Sequence, residues 1–235
     1  MISVSNKLLE IALKYGPIKS IYDCGSRDAL DGIYLLESLK AEELHVFECN
    51  PPSAEKCRNN SENFKGMGRI LVNEMAISDV EGELTFFPVD TEQTITPHPD
   101  GNPGASSLYR ANPDYTAERY VQKEIKVKST TLDSYVQLHS VPDLLWMDLQ
   151  GAELKALQGA KRTLAKVKII HIEIGFRPMF LGQPLFWDID ELLKNQFKLV
   201  HISIGRWPKM LWLYKLLGTG PWLGDAIYVN RSLIK

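Results

Sequence analysis

Cysteine is scarce in this chain. Only Cys24, Cys49 and Cys57 occur among 235 residues. Three is an odd count and no C-x-x-C is present, so neither a disulfide framework nor a zinc site is indicated. Long apolar runs are missing too. None approaches the roughly 20 residues that span a bilayer. Residues 1–15 lack the basic start and apolar core of a signal peptide. They read instead as an amphipathic helix with Leu8, Leu9, Ala12 and Leu13 on one face. These absences lead to the expectation of a cytoplasmic protein. A surplus of one charge is also absent. The chain carries 27 Lys+Arg against 29 Asp+Glu, a net charge of −2. No broad basic face therefore advertises nucleic acid, and a small-molecule partner is expected.

What is present is alternation of strand-like and helix-like stretches. Short apolar runs at 18–24, 44–48, 69–77, 142–148, 167–174, 197–204 and 225–230 read as strands. Helical spacing occupies 30–40, 51–64, 132–138, 151–165 and 188–195. Residues 83–89 and 123–131 alternate as surface strands. Helix-length crossovers between strands imply parallel pairing. The expected fold is α/β, a Rossmann-like, doubly wound, mostly parallel seven-stranded sheet. Helices cover both faces and an antiparallel strand lies at the edge formed by the last two strands. One domain over 1–235 accommodates all of it.

In such a sheet, ligands sit beyond the carboxyl ends of the strands. The first strand runs apolar to Asp23, reaches Gly25 and becomes helix-like. Glycine there lets a ligand approach the backbone, and the following helix points free N–H groups at the same place. The second strand ends at Glu48, whose carboxylate suits the two hydroxyls of a ribose. The third supplies Ala76 and Ile77. The fourth ends at Asp148 with Gln150 just beyond, and the fifth carries His171 and Glu173 on one face. A dinucleotide would need its pyrophosphate on a glycine-rich turn. Here the turn is Gly25-Ser26-Arg27-Asp28, with one glycine and an acid where phosphate would be repelled. An acidic turn suits a ligand bearing an ammonium and a sulfonium, as S-adenosylmethionine does.

Residues 91–120 hold Pro97, Pro99, Gly101, Pro103, Gly104 and Pro113 among polar residues. A loop of that length in a compact domain is functional or disordered. It reads as a lid over the acceptor site, with Ser106 and Ser107 as binding hydroxyls. Residues 205–224 form an aromatic-rich insertion before the last strand, with Trp207, Trp212, Tyr214 and Trp222. Core packing, substrate capping, and contact with a partner or a membrane surface through 206–224 are its open readings.

The stretch Leu144-Leu-Trp-Met-Asp148-Leu-Gln150-Gly151-Ala-Glu153, followed by Leu157 and Gly159, is the most distinctive. It resembles the FkbM-type S-adenosylmethionine-dependent methyltransferases, whose motif here is Lys-x-Asp-x-Glu-Gly-x-Glu followed by Leu-x-Gly. Asp148, Gly151, Glu153, Leu157 and Gly159 match. So do Asp23-Cys-Gly25, Phe47-Glu48-Cys-Asn-Pro51, Ala76-Ile-Ser-Asp79 with Gly82, Ala105-Ser-Ser-Leu108, Thr131-Leu-Asp133 and Ile172-Glu173, in the family's order, with Gly224-Asp225 fitting its usual ending. Trp146 stands in place of the family's lysine and Gln150 in place of its first glutamate.

The resemblance implies O-methylation of a sugar, polyketide or related metabolite. It gives Asp23 and the Gly25-Ser26-Arg27 backbone to the methionine end of the cofactor, Glu48 to the ribose, and Ala76 and Ile77 to the adenine. Asp148 then lies beside the transferring methyl, with His171 and Glu173 the other candidate bases. Ser106, Ser107 and Gln150 are the candidate acceptor contacts. Several carboxylates would accept a divalent cation, but no ligand pattern indicates one. The rival readings are a nicotinamide-dependent oxidoreductase on a similar sheet, and a non-catalytic binding protein, for which Trp146 and Gln150 are the support.

Overall fold

A computed structural model describes residues 3–205, 211–217 and 220–234. In chain order the elements are α1 (Asn6–Tyr15), β1 (Ser20–Cys24), α2 (Leu30–Leu39), β2 (Glu43–Phe47), α3 (Pro51–Asn63), β3 (Arg69–Asn73), β4 (Ala76–Ile77), β5 (Gly82–Phe86) and β6 (Ile125–Thr130). Then follow α4 (Leu132–Tyr135), β7 (Leu144–Met147), α5 (Glu153–Gln158), α6 (Lys161–Leu164), β8 (Ile169–Gly175), α7 (Phe186–Leu193), β9 (Phe197–Ser203), α8 (Leu211–Leu217) and β10 (Leu223–Asn230).

Seven strands form the main sheet in the order β3-β2-β1-β7-β8-β10-β9. The chain winds outward from β1 to β3, then returns to the other side of β1 with β7. Strand order therefore reverses between β1 and β7. Both are parallel, with Ile21 opposite Leu144 and Cys24 opposite Met147. Every residue of β1 and of β7 is buried. Period-two alternation sends their side chains to two separate cores. Tyr22, Cys24, Leu145 and Met147 pack with α5 to α7 on one face. Ile21, Leu144 and Trp146 pack with α1 and α2 on the other.

The antiparallel strand is β10, which runs against both β8 and β9. It lies one place in from the edge, and β9 forms the edge itself. Residue chemistry explains the exchange. Residues 226–230 of β10 are all buried, whereas β9 fully buries only Phe197 and Ile202 and leaves Lys198 and Ser203 exposed. A polar strand is suited to an unpaired edge.

The expected third strand, 69–77, divides. β3 stops at Asn73, and Met75 N donates to the Asn73 carbonyl at 3.0 Å to make a turn. Ala76 and Ile77 cross into a second sheet of order β4-β6-β5. The expected helix over 151–165 also divides, into α5 and α6. At the break Gly159 packs so closely that a Cβ there would lie 2.2 Å from the Ser78 carbonyl oxygen. The Asp133 carboxylate accepts from Arg162 N and Thr163 N at 2.8–3.0 Å and so starts α6 afresh. α4 ends at Tyr135, short of residue 138.

Residues 206–210, 218 and 219 of the aromatic-rich segment lie outside the described residues. Among the described residues, no helix is long and apolar enough to cross a membrane.

Candidate functional site

The β1–α2 turn is built by its own short side chains. Gly25 N and Ser26 N donate to the Phe47 carbonyl at 2.9 and 3.2 Å, folding the turn over the end of β2. Ser26 Oγ donates to Asp23 Oδ2 at 2.5 Å and accepts from Ala29 N at 3.1 Å, at the start of α2. Gly25 adopts φ +86, a left-handed conformation that costs glycine little. β7 leaves the sheet beside it, with Asp148 N donating to the Cys24 carbonyl at 2.9 Å.

A cavity of about 630 Å³ opens above this switch point. Its wall includes Asp23, Gly25, Ser26, Arg27, Glu48, Ala76, Ile77, Ser106, Asp148, Gln150 and Glu173. The strand ends thus bring most of the sequence-derived candidates together, and the 91–120 loop closes over them through Asn102 to Ser106, Tyr115, Glu118 and Tyr120. That loop is pinned by isolated bridges, Phe87 to Ser107 and Ile95 to Arg119.

Glu48 is buried, and both of its oxygens meet backbone. Oε2 accepts from Arg27 N at 2.9 Å and Oε1 from Asn50 N at 2.7 Å. Burial nevertheless raises its pKa. Asp23 is 1% exposed, and its Oδ1 has no hydrogen-bond partner. Burial pushes its pKa up to about 8 against the pull of the Ser26 hydroxyl. Such an orphaned acceptor is costly unless a ligand supplies a donor.

Beyond β7 the chain turns through Gln150 at φ +51 and Gly151 at φ +95. Gln150 Nε2 donates to Asp148 Oδ1 at 2.7 Å and to Glu173 Oε2 at 3.0 Å. Burial raises the pKa of Asp148, and it raises Glu173 well above the ordinary carboxylate range, where the neighbouring Asp148 charge adds to it. Glu153 turns back under the turn. Its Oε1 accepts from Leu149 N at 2.8 Å and Gly151 N at 3.3 Å, and burial pushes its pKa up to about 7.

Two candidates stand apart from the cavity. His171 is buried beneath the Trp146 indole, with ring centroids 4.0 Å apart and planes at 4°. Burial pushes its pKa down to about 3, and its ring is not part of the wall. Ser107 also lies outside the wall. Its hydroxyl donates to the Gln150 carbonyl at 2.7 Å and accepts from Tyr109 N at 3.0 Å. Ser106 reaches the wall with its hydroxyl already engaged, donating to the Pro103 carbonyl and accepting from Val89 N. Asp79, which ends the Ala76-Ile-Ser-Asp79 motif, accepts from its neighbour Ser78.

Several wall residues were not among the site candidates. Asn50 is buried and links Glu48 to Ser106. Tyr115, Glu118 and Tyr120 enter from the loop, where Tyr120 Oη donates to Glu118 Oε1 at 3.0 Å. Trp222 packs edge-on against Tyr115 at 4.8 Å, and the Arg177 guanidinium lies 3.6 Å over the Trp222 ring. The mixture of aromatic and polar residues within 115–120 was the available clue.

Strand order and a ligand-sized cavity at the switch point define the class, a Rossmann-like α/β domain. Solved structures agree on the fold. One is a chain of a fibrillarin/Nop5p complex, 11% identical, covering 95% of this chain and 80% of that one, with a TM-score of 0.51. Another is a protein of the NADB-Rossmann superfamily from Streptococcus agalactiae, 13% identical, covering 98% and 70%, with a TM-score of 0.50. Sequence is more specific. Residues 23–199 match the methyltransferase FkbM domain. The 2-O-methyltransferase NoeI of Sinorhizobium fredii (strain NBRC 101917 / NGR234) is 30% identical over 205 residues, covering 85% of this chain and 79% of that protein. This chain belongs to the FkbM methyltransferase family.

Proposed function

We propose that the protein transfers a methyl group from S-adenosylmethionine to a hydroxyl of a small-molecule acceptor, a sugar, polyketide or related metabolite. The observation that carries this is the convergence of Asp23, Gly25, Glu48, Asp148 and Glu173 on one cavity at the switch point. The 2-O-methyltransferase relative supports oxygen as the acceptor atom. Free Cys24, Cys49 and Cys57 suit a reducing cytoplasm.

The donor set fits the cofactor. Asp23 Oδ1 is a buried acceptor without a partner, the atom an ammonium would take. Glu48 holds one backbone N–H on each oxygen, and the remaining lone pairs suit the two ribose hydroxyls. Ala76 and Ile77 offer an apolar wall for a purine. S-adenosylmethionine supplies an electrophilic methyl carbon, so that a C–O bond forms as the S–C bond breaks.

Alignment supplies much of the rate of such an in-line displacement. Asp148 and Glu173 line the same cavity and act on the acceptor hydroxyl. Asp148, held by the Gln150 amide, takes its proton, and Glu173, which burial keeps protonated, hydrogen-bonds to it. His171 lies behind Trp146, away from this pair.

Titration calorimetry with S-adenosylhomocysteine tests the reading. Saturable binding with one site per chain is expected. Folded protein that releases no heat at millimolar ligand would remove the basis for it.

A further inference from the structure

Three acids crowd together at one side of the cavity, Asp148 and Glu173 in its wall and Glu153 buried behind them. Asp148, Glu153 and Glu173 each offer a carboxylate oxygen within 4.8 Å of the others. Carboxylates this close in a buried place need a retained proton, a cation or hydrogen-bond donors. Glu153 receives the N–H groups of Leu149 and Gly151. Asp148 and Glu173 hydrogen-bond to each other, and both also accept from one atom, Gln150 Nε2, at 2.7 and 3.0 Å. A side-chain amide nitrogen carries two hydrogens, and each carboxylate takes one. The nitrogen occupies the bridging position between the two oxygens.

The backbone fixes it there. Gln150 lies in the left-handed region at φ +51, uncommon for a residue with a Cβ. Its carbonyl is held by the buried Ser107 hydroxyl at 2.7 Å. A residue kept in that conformation and anchored at both ends is pre-organised for a site.

We propose that Gln150 is a positioning residue standing where a cation would otherwise bridge Asp148 and Glu173, and that it makes this acid pair independent of divalent metal. The inference rests on the methyl-transfer reading for what the pair does, but not for whether the pair binds metal. The charged groups facing the pair are Asp23, Arg27 and Asp31 from the β1–α2 region, Glu48 from the end of β2, Glu153 from α5 and Asp225 from β10.

Titration of the full chain with Mn²⁺, followed by electron paramagnetic resonance, tests it without any acceptor. Wild-type protein is expected to leave the free-ion signal unchanged. Gln150→Glu replaces the two donors by another carboxylate and is expected to bind Mn²⁺ about tenfold more tightly or better, because ligand charge sets affinity. Wild-type protein that binds Mn²⁺ as tightly as Gln150→Glu overturns the proposal, as does a Gln150→Glu protein that gains no affinity. Gln150→Met keeps the side-chain length without the donors and serves if the glutamate variant does not fold. Its loss of thermal stability is expected to grow with rising pH as the pair ionises without hydrogen bonds. A loss constant across pH would mean that Gln150 only fills space. Failure to bind S-adenosylhomocysteine counts against the proposed function and leaves the Mn²⁺ comparison intact.

Discussion

Gly25 and the Asp148 carbonyl lie back to back, so close that a Cβ on Gly25 would stand 1.8 Å from that oxygen. The β1–α2 turn and the acid-bearing turn after β7 thus share one close contact. Gly25→Ala faces this clash and a left-handed backbone together. It is expected to lower stability by at least about 2 kcal/mol, read from the midpoint of denaturant unfolding. An unchanged midpoint would show that β1 and β7 separate here in solution.

Glu48→Ala removes the acceptor assigned to the ribose and strands the N–H groups of Arg27 and Asn50. Affinity for S-adenosylhomocysteine is expected to fall by about 1–3 kcal/mol in calorimetry, the range for hydrogen bonds to a charged group. Retained affinity would place the ribose elsewhere.

Asp23 gives a pH dependence of definite sign. Its folded-state pKa is raised from 3.8 to about 8 by burial. Between those values the folded state holds a proton that the unfolded state has lost, so stability falls as pH rises through this window. Asp23→Asn abolishes the ionisation. It is expected to be more stable than wild type at pH 8 by at least about 1 kcal/mol, with the difference shrinking toward pH 4. The same change should weaken S-adenosylhomocysteine binding, because the negative charge that would face the ammonium is gone. Parallel melting curves for the two proteins would sink the assignment.

Trp222 joins Arg177, at 3.6 Å, to Tyr115 of the cavity wall, at 4.8 Å. Trp222→Ala removes about 0.5–2 kcal/mol of contact energy from the rim. Tryptic cleavage at Arg110 and Arg119 in the loop is expected to rise several-fold, with little change in global unfolding. Equal cleavage rates would show that the loop is held without Trp222, by its bridges such as Phe87 to Ser107 and Ala111 to Phe180.

Much of the site was legible because strand ends are marked locally. Asp23, Glu48 and Asp148 each close an apolar run, and the rule for parallel sheets gathers such ends at one rim. His171 shows where spacing stops informing. It shares a face with Glu173, as period two requires, yet only Glu173 reaches the cavity. The reason lies on the next strand, where Trp146 pairs in register with His171 and lays its indole over the imidazole. Spacing along β8 does not report what β7 places above it. Gln150 was expected to touch the acceptor. Its two bonds to the acids depend on the turn conformation at φ +51, which an isolated glutamine does not specify.

The sequence by itself determined the alternation of strands and helices, the acids that close strands, and the motifs that mark the family. These are properties of neighbouring residues along one chain. Tertiary structure decided that β10 enters the sheet while β9 takes the edge, that Ala76 and Ile77 leave for a second sheet, and that one amide nitrogen joins Asp148 to Glu173. Each of these turns on which strand packs beside which, where burial and hydrogen bonding between distant segments outweigh local preference.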